Sequence, residues 1–191
     1  MKLHYKGKYN LNPESLPHGE HKPNAQPFKE PKDTREIAII ANVGCVILTV
    51  ILGIAAYFRC GDNLFGWQFG IGCIASLLFL FPHELLHAIC FENDVYLYVN
   101  LKQGMLFVVG PETMSKGRFI FMSLLPNIVF GLIPYVAGLL FPQYVFLVVF
   151  GTFSLGAGFG DYCNVFNALT QMPKGSRTYL YQLNSFWYLP K

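Results

Sequence analysis

Charge is scarce in this sequence. Only 13% of its 191 residues are Asp, Glu, Lys or Arg, whereas 53% are hydrophobic. Soluble domains carry about a quarter of their residues charged, so this balance excludes an ordinary soluble fold. The apolar residues gather in runs long enough to cross a bilayer, one of them uncharged between Asp62 and His83. An integral membrane protein is expected, with the lipid bilayer as its first partner. Paired cysteines are also lacking. Cys45, Cys60, Cys73, Cys90 and Cys163 show no C-x-x-C spacing, which argues against a disulfide framework and against a metal finger. No apolar core of the signal-peptide kind occurs early, so neither cleavage nor secretion is expected. The net charge of +3 is modest, and no nucleic-acid partner is expected.

What is present begins with a polar stretch, residues 1–35, rich in Lys, Pro, Asn and His. Its Lys2, Lys6, Lys8, Lys22, Lys29, Lys32 and Arg35 place that end in the cytoplasm by the positive-inside rule. His4, His18 and His21 read as scattered, solvated side chains. Asp33 followed by Glu36 reads as a capped helix start. Ile37 to Phe58 is then a first span, and about Phe65 to Phe91 a second, with Pro82 inside it as either a local opening or a packing kink. Val95–Val99 and Met105–Val109 are β-prone runs around Gln103-Gly104, hence a hairpin at the membrane surface. That hairpin is either a plain connection or an edge for an extended peptide. Phe119 to Phe141, interrupted by Pro126 and Pro134, is a third span, and Tyr144 to about Thr170 a fourth.

The most informative stretch lies late in the second span: His83-Glu84-Leu85-Leu86-His87, an H-E-x-x-H pattern. Residues four apart share a helix face, so two imidazoles converge while Glu84 stands beside them. Two neutral nitrogen ligands with an adjacent carboxylate base form a zinc-hydrolase arrangement. The bland alternative is a polar helix end at the membrane interface. Asp161 is the second informative residue, as the sole acid after Glu112. A carboxylate inside a span is costly unless paired or coordinated. At ~1.5 Å per residue, Asp161 and His83 lie equally deep, ~26 Å along parallel spans. Asp161 can thus complete a two-histidine, one-carboxylate site; a structural carboxylate is the rival. Asn164, one turn on, is a candidate to orient it, and Asn127 a candidate to hold substrate or tie helices together. Glycines 151, 156, 158 and 160 would allow close helix approach.

The expected fold is an all-α membrane protein of four transmembrane helices, with a short β-hairpin between spans two and three. Residues 1–35 form a cytoplasmic tail, 36–172 the four-span domain with the zinc site, and 173–191 an aromatic interfacial tail. Both termini then lie inside, and the outer turns carry only Arg59 as a basic residue. His83-Glu84-Leu85-Leu86-His87-Ala88, the Pro126-containing third span and Gly160-Asp161 resemble the zincin-peptidase family of small bacterial integral-membrane proteins. More distantly they resemble site-two type intramembrane zinc proteases, over roughly Ile37 to Met172. This chain has Gly160-Asp161-Tyr162 where the site-two pattern has Leu-Asp-Gly, and it has no recognisable PDZ module. The resemblance implies a metalloprotease with Zn2+ held by His83, His87 and Asp161. Glu84 would be its catalytic base, and a protein or peptide, including a membrane-protein segment, its substrate. Two other readings stay open: a non-catalytic zinc-binding membrane adaptor, and a cation transporter using His83, Glu84 and Asp161 as its path.

Overall fold

The computed structural model describes residues 1–190. In chain order the elements are β1 (Lys2–Lys8), β2 (Gln26–Pro27), α1 (Thr34–Cys60), α2 (Trp67–Leu78), α3 (Leu80–Ala88), β3 (Asp94–Asn100) and β4 (Met105–Val109). They continue with β5 (Met114–Ser115), α4 (Lys116–Pro126), α5 (Ile133–Leu140), α6 (Val145–Ala157), α7 (Phe159–Gln171), β6 (Arg177–Tyr181) and β7 (Asn184–Tyr188). The chain is mostly helical. Among the described residues, three helical stretches are long and apolar enough to cross a membrane: Thr34–Phe65, Trp67–Ala88 and Lys116–Leu140. Val145–Ala157 and Phe159–Gln171 qualify only as a pair, bent by 53°.

α1 starts where its sequence signals a start. The Asp33 side chain accepts a hydrogen bond from the Arg35 N–H at 2.8 Å, satisfying one of the free donors of the first turn. Its inward positions are small or polar, among them Ala38, Gly44 and Ala56, while Ile39, Val43, Ile47 and Ile54 are more than half exposed. A helix in water has the reverse arrangement. α6 is the central helix and packs on α1, α2 and α5. Its Val145, Val148 and Val149 are buried with Ala56 and Tyr135. α5 and α6 approach at backbone distance: a Cβ on Gly138 would lie 2.7 Å from Val148 Cα, and one on Gly151 2.7 Å from Tyr135 Cα. Small residues permit that closeness, which gains dispersion contacts without a side chain intervening.

The prolines act differently in the two spans that contain them. Trp67–Ala88 breaks at Phe79, between α2 and α3. Pro82 lacks an N–H and its ring crowds the Leu78 carbonyl, so the helix opens a turn upstream of the proline. Lys116–Leu140, expected to be interrupted, instead runs on through a π-helical segment at Asn127–Leu132. Pro126 and Pro134 leave the carbonyls of Met122 and Phe130 without their usual helical donors, and the wider turn absorbs the mismatch.

The all-α expectation is corrected by two sheets. One has the order β1-β3-β4, with β1 parallel to β3 and β4 antiparallel to it; the other has the order β2-β7-β6-β5. Residues expected to be a plain polar tail supply β1 and β2. β1 interleaves Lys2, Lys6 and Lys8 with Leu3 and Tyr5, a composition that suits a charged edge strand, and its partner lies far along the chain. Tyr9 and Leu16 follow it into a core with Tyr98 and Val109. The C-terminal aromatics belong to a β6–β7 hairpin, with Trp187 packed against Phe28, Ala168 and Met172. Between the helices and the first sheet sits Glu112, accepting from the Glu92 and Asn93 N–H groups at 2.8 Å and paired with Arg118 at 2.7 Å. Burial pushes its carboxyl up, but those donors and the guanidinium outweigh it and hold the carboxyl below the usual range.

Candidate metal centre

α3 presents His83, Glu84 and His87. One nitrogen from each imidazole and one Glu84 oxygen lie within 4.8 Å of one another. α7 brings Asp161 to the same point, its Oδ2 3.2 Å from His83 Nε2 and its Oδ1 3.2 Å from His87 Nε2. Neighbouring ligands on a tetrahedral zinc are separated by about 3.3 Å, given metal–ligand bonds near 2.0–2.1 Å. The carboxylate therefore stands from both imidazoles at the spacing zinc ligands adopt. The tautomer fits as well. His87 Nδ1 lies 2.9 Å from the Met122 carbonyl. Donation there leaves Nε2 with its lone pair turned toward Asp161, as a metal requires.

Asp161 is held from its other side by the π-helical segment that continues α4. Asn127, only 3% exposed, donates from Nδ2 to Asp161 Oδ2 at 2.8 Å and to the Ser123 carbonyl at 2.9 Å. Its Oδ1 accepts from the Tyr162 hydroxyl at 3.2 Å. Gly158, at the bend between α6 and α7, makes room for this amide, since a methyl there would overlap Asn127 Oδ1. Asn164 lines the adjoining cavity but shows no hydrogen bond to Asp161. Gly151, Gly156 and Gly158 all sit at close approaches, whereas a Cβ on Gly160 would meet nothing within 4 Å.

Glu84 is placed by the sheet. Its Oε2 accepts from the Val108 N–H at 3.0 Å. β4 is the last strand of its sheet, so this N–H points away from β3 and along an unpaired edge. A cavity of about 680 Å³ opens beside it. Its walls come from the β4 edge, from the two histidines and Asp161, from Ile37 and Ile40 of α1, and from Tyr179 and Leu180 of β6. Glu30 closes one side, its Oε1 accepting from the Ser185 N–H at 2.6 Å. Burial pushes that carboxyl up, and its hydrogen bonds to Ser185, Asn184 and Asn167 offset this only in part.

Tyr162, the Met122 carbonyl and the Val108 N–H were not singled out in the sequence. Tyr162 had one available signal, adjacency to Asp161. The other two are backbone groups, which every residue carries and no side chain announces.

The model of the family described as “Putative zincin peptidase” matches residues 76–177, just over half of the chain. The matched segment holds α3, Asn127 and Asp161. The chain belongs to this family. Metallopeptidase activity and zinc accompany membership in the zincin peptidases, and the donor set of this zincin peptidase fits that metal. No curated protein and no solved structure matches the chain.

Proposed function

We propose that this zincin peptidase is a membrane-embedded protease of site-two type. It would hydrolyse peptide bonds near the cytoplasmic face with zinc held by His83, His87 and Asp161. The observation that carries the reading is the convergence of both imidazoles on Asp161, with Glu84 beside them at an open strand edge. Four spans follow if α6 and α7 cross as one bent helix. The outward apolar faces support multi-pass embedding, because isoleucines and valines exposed along a whole helix are stable only in an apolar medium. The basic residues of residues 1–35, of Lys102, Lys116 and Arg118, and of Lys174 and Arg177 support cytoplasmic termini.

Bound zinc supplies Lewis-acid polarisation of the scissile carbonyl and acidifies water. Glu84 takes the proton of the attacking water and passes it to the leaving amine. The β4 edge supports an extended substrate: Leu106 and Val108 turn their backbone groups away from β3, and the bond from the Val108 N–H places the Glu84 carboxylate at that same edge. Ile37 and Ile40 carry the cavity to the lipid-facing side of α1, which supports a membrane-protein segment as substrate. Metal content and peptide cleavage, measured on detergent-purified wild type and variants, test the reading. The expected result is about one zinc per chain, lost in His83→Ala and Asp161→Ala but kept in Glu84→Gln, which no longer cleaves. Cleavage by Glu84→Gln, or zinc retained by Asp161→Ala, overturns it.

A further inference from the structure

We infer that the middle of the third helical stretch is a bracket that orients the metal ligands, with Pro126, Asn127 and the facing Tyr162 as positioning residues. The inference rests on the zinc reading above and concerns residues that touch no metal.

Pro126 supplies the first half of the bracket. In an uninterrupted α-helix the N–H of residue 126 would bond the carbonyl of Met122. Proline has no N–H, so that carbonyl is left over from the helix ladder. It does not stay unpaired: His87 Nδ1 lies 2.9 Å from it. A missing helical donor on one span thus becomes the acceptor that sets the tautomer of a ligand on another. Asn127, the next residue, supplies the second half. Its Nδ2 donates to Asp161 Oδ2 at 2.8 Å, which fixes the carboxylate between the two imidazoles. The buried Oδ1 of that amide has the Tyr162 hydroxyl as its donor, and Gly158 leaves the space it occupies. Without Tyr162 the amide oxygen would be buried unpaired, and the Asn127–Asp161 bond would lose the partner that polarises it. Two adjacent residues on one helix therefore hold ligands carried by two others. The helix stays continuous through its π-helical turn, so both holds are rigidly linked.

The test uses the full chain in detergent, with zinc affinity measured by competition against a chelator and unfolding of the zinc-free protein measured in parallel. Pro126→Ala restores the N–H that competes for the Met122 carbonyl. Zinc should bind about 10–100-fold more weakly, the usual effect of losing an outer partner of a ligand. The zinc-free variant should be at least as stable as wild type, because alanine suits a helix interior better than proline. Tyr162→Phe removes the donor to the buried Asn127 oxygen and should weaken zinc by about 10-fold, with some loss of zinc-free stability because that oxygen is left unpaired. A purely structural role predicts the loss of stability with zinc affinity unchanged. Wild-type affinity in both variants overturns the bracket while leaving the protease reading intact. Absence of zinc from the wild type overturns both.

Discussion

The outer helix α1 and the first sheet of this chain bury opposite things. α1 turns Ala38, Gly44 and Ala56 inward and exposes its isoleucines and valines, with Phe58 84% exposed at its far end. The first sheet buries Tyr9, Leu16 and Val95 almost completely and leaves its lysines outside. One chain has sorted the same residue types in two directions. Burial of apolar surface is favourable only where the alternative is water. In lipid that drive vanishes, and close packing of small residues takes over. The candidate metal centre lies where the two regimes meet: His83, His87 and Asp161 are on helices, and Glu84 is bonded to a strand edge.

The largest effect should come from that junction. Replacing Glu84 by Gln keeps the metal but should lower peptide cleavage by about 10²–10⁴-fold, the range general-base removal produces; a fluorogenic peptide assay reads it. The next test separates the two regimes. Tyr9→Ala in the sheet core should cost about 3–5 kcal/mol, whereas Phe58→Ala on the outer helix face should stay within about 0.5 kcal/mol. Thermal unfolding in detergent compares them, and equal losses would erase the distinction drawn here. Gly158→Ala forces a methyl onto the Asn127 amide and should cost about 1–3 kcal/mol, together with a weaker zinc affinity by chelator competition. The smallest effect concerns pH. The Glu112 carboxyl is held below its ordinary value of 4.5, so its contribution is fully present above that pH and is lost as pH falls through the folded value. Glu112→Gln should flatten the acid limb of the melting-temperature profile and leave activity at neutral pH unchanged.

Local signals account for what could be read directly from the residues. The i, i+4 spacing of His83 and His87 needs only a helix to converge, and the Asp33 cap and the apolar runs need only their neighbours in sequence. Equal depth on parallel spans predicts that Asp161 lies level with the histidines, and the structure does bring it to them. It does so through a helix pair bent by 53°, with Gly158 at the corner, so the straight-helix picture behind that expectation does not hold. Asn164 shares a helix face with Asp161, yet the amide that bonds Asp161 comes from Asn127 on a different helix.

Side-chain chemistry along the chain is enough to specify the apolar spans, the paired histidines with their neighbouring glutamate, and the zincin class they signal. Contacts between distant segments decide the rest. β1 becomes a strand only because β3 offers an edge, and the C-terminal aromatics fold inward only because Phe28, Ala168 and Met172 are there to receive them. The Met122 carbonyl and the Val108 N–H act on the site because the fold brings them to His87 and Glu84. Backbone groups are identical at nearly every position, so their roles arise from where packing leaves them unpaired.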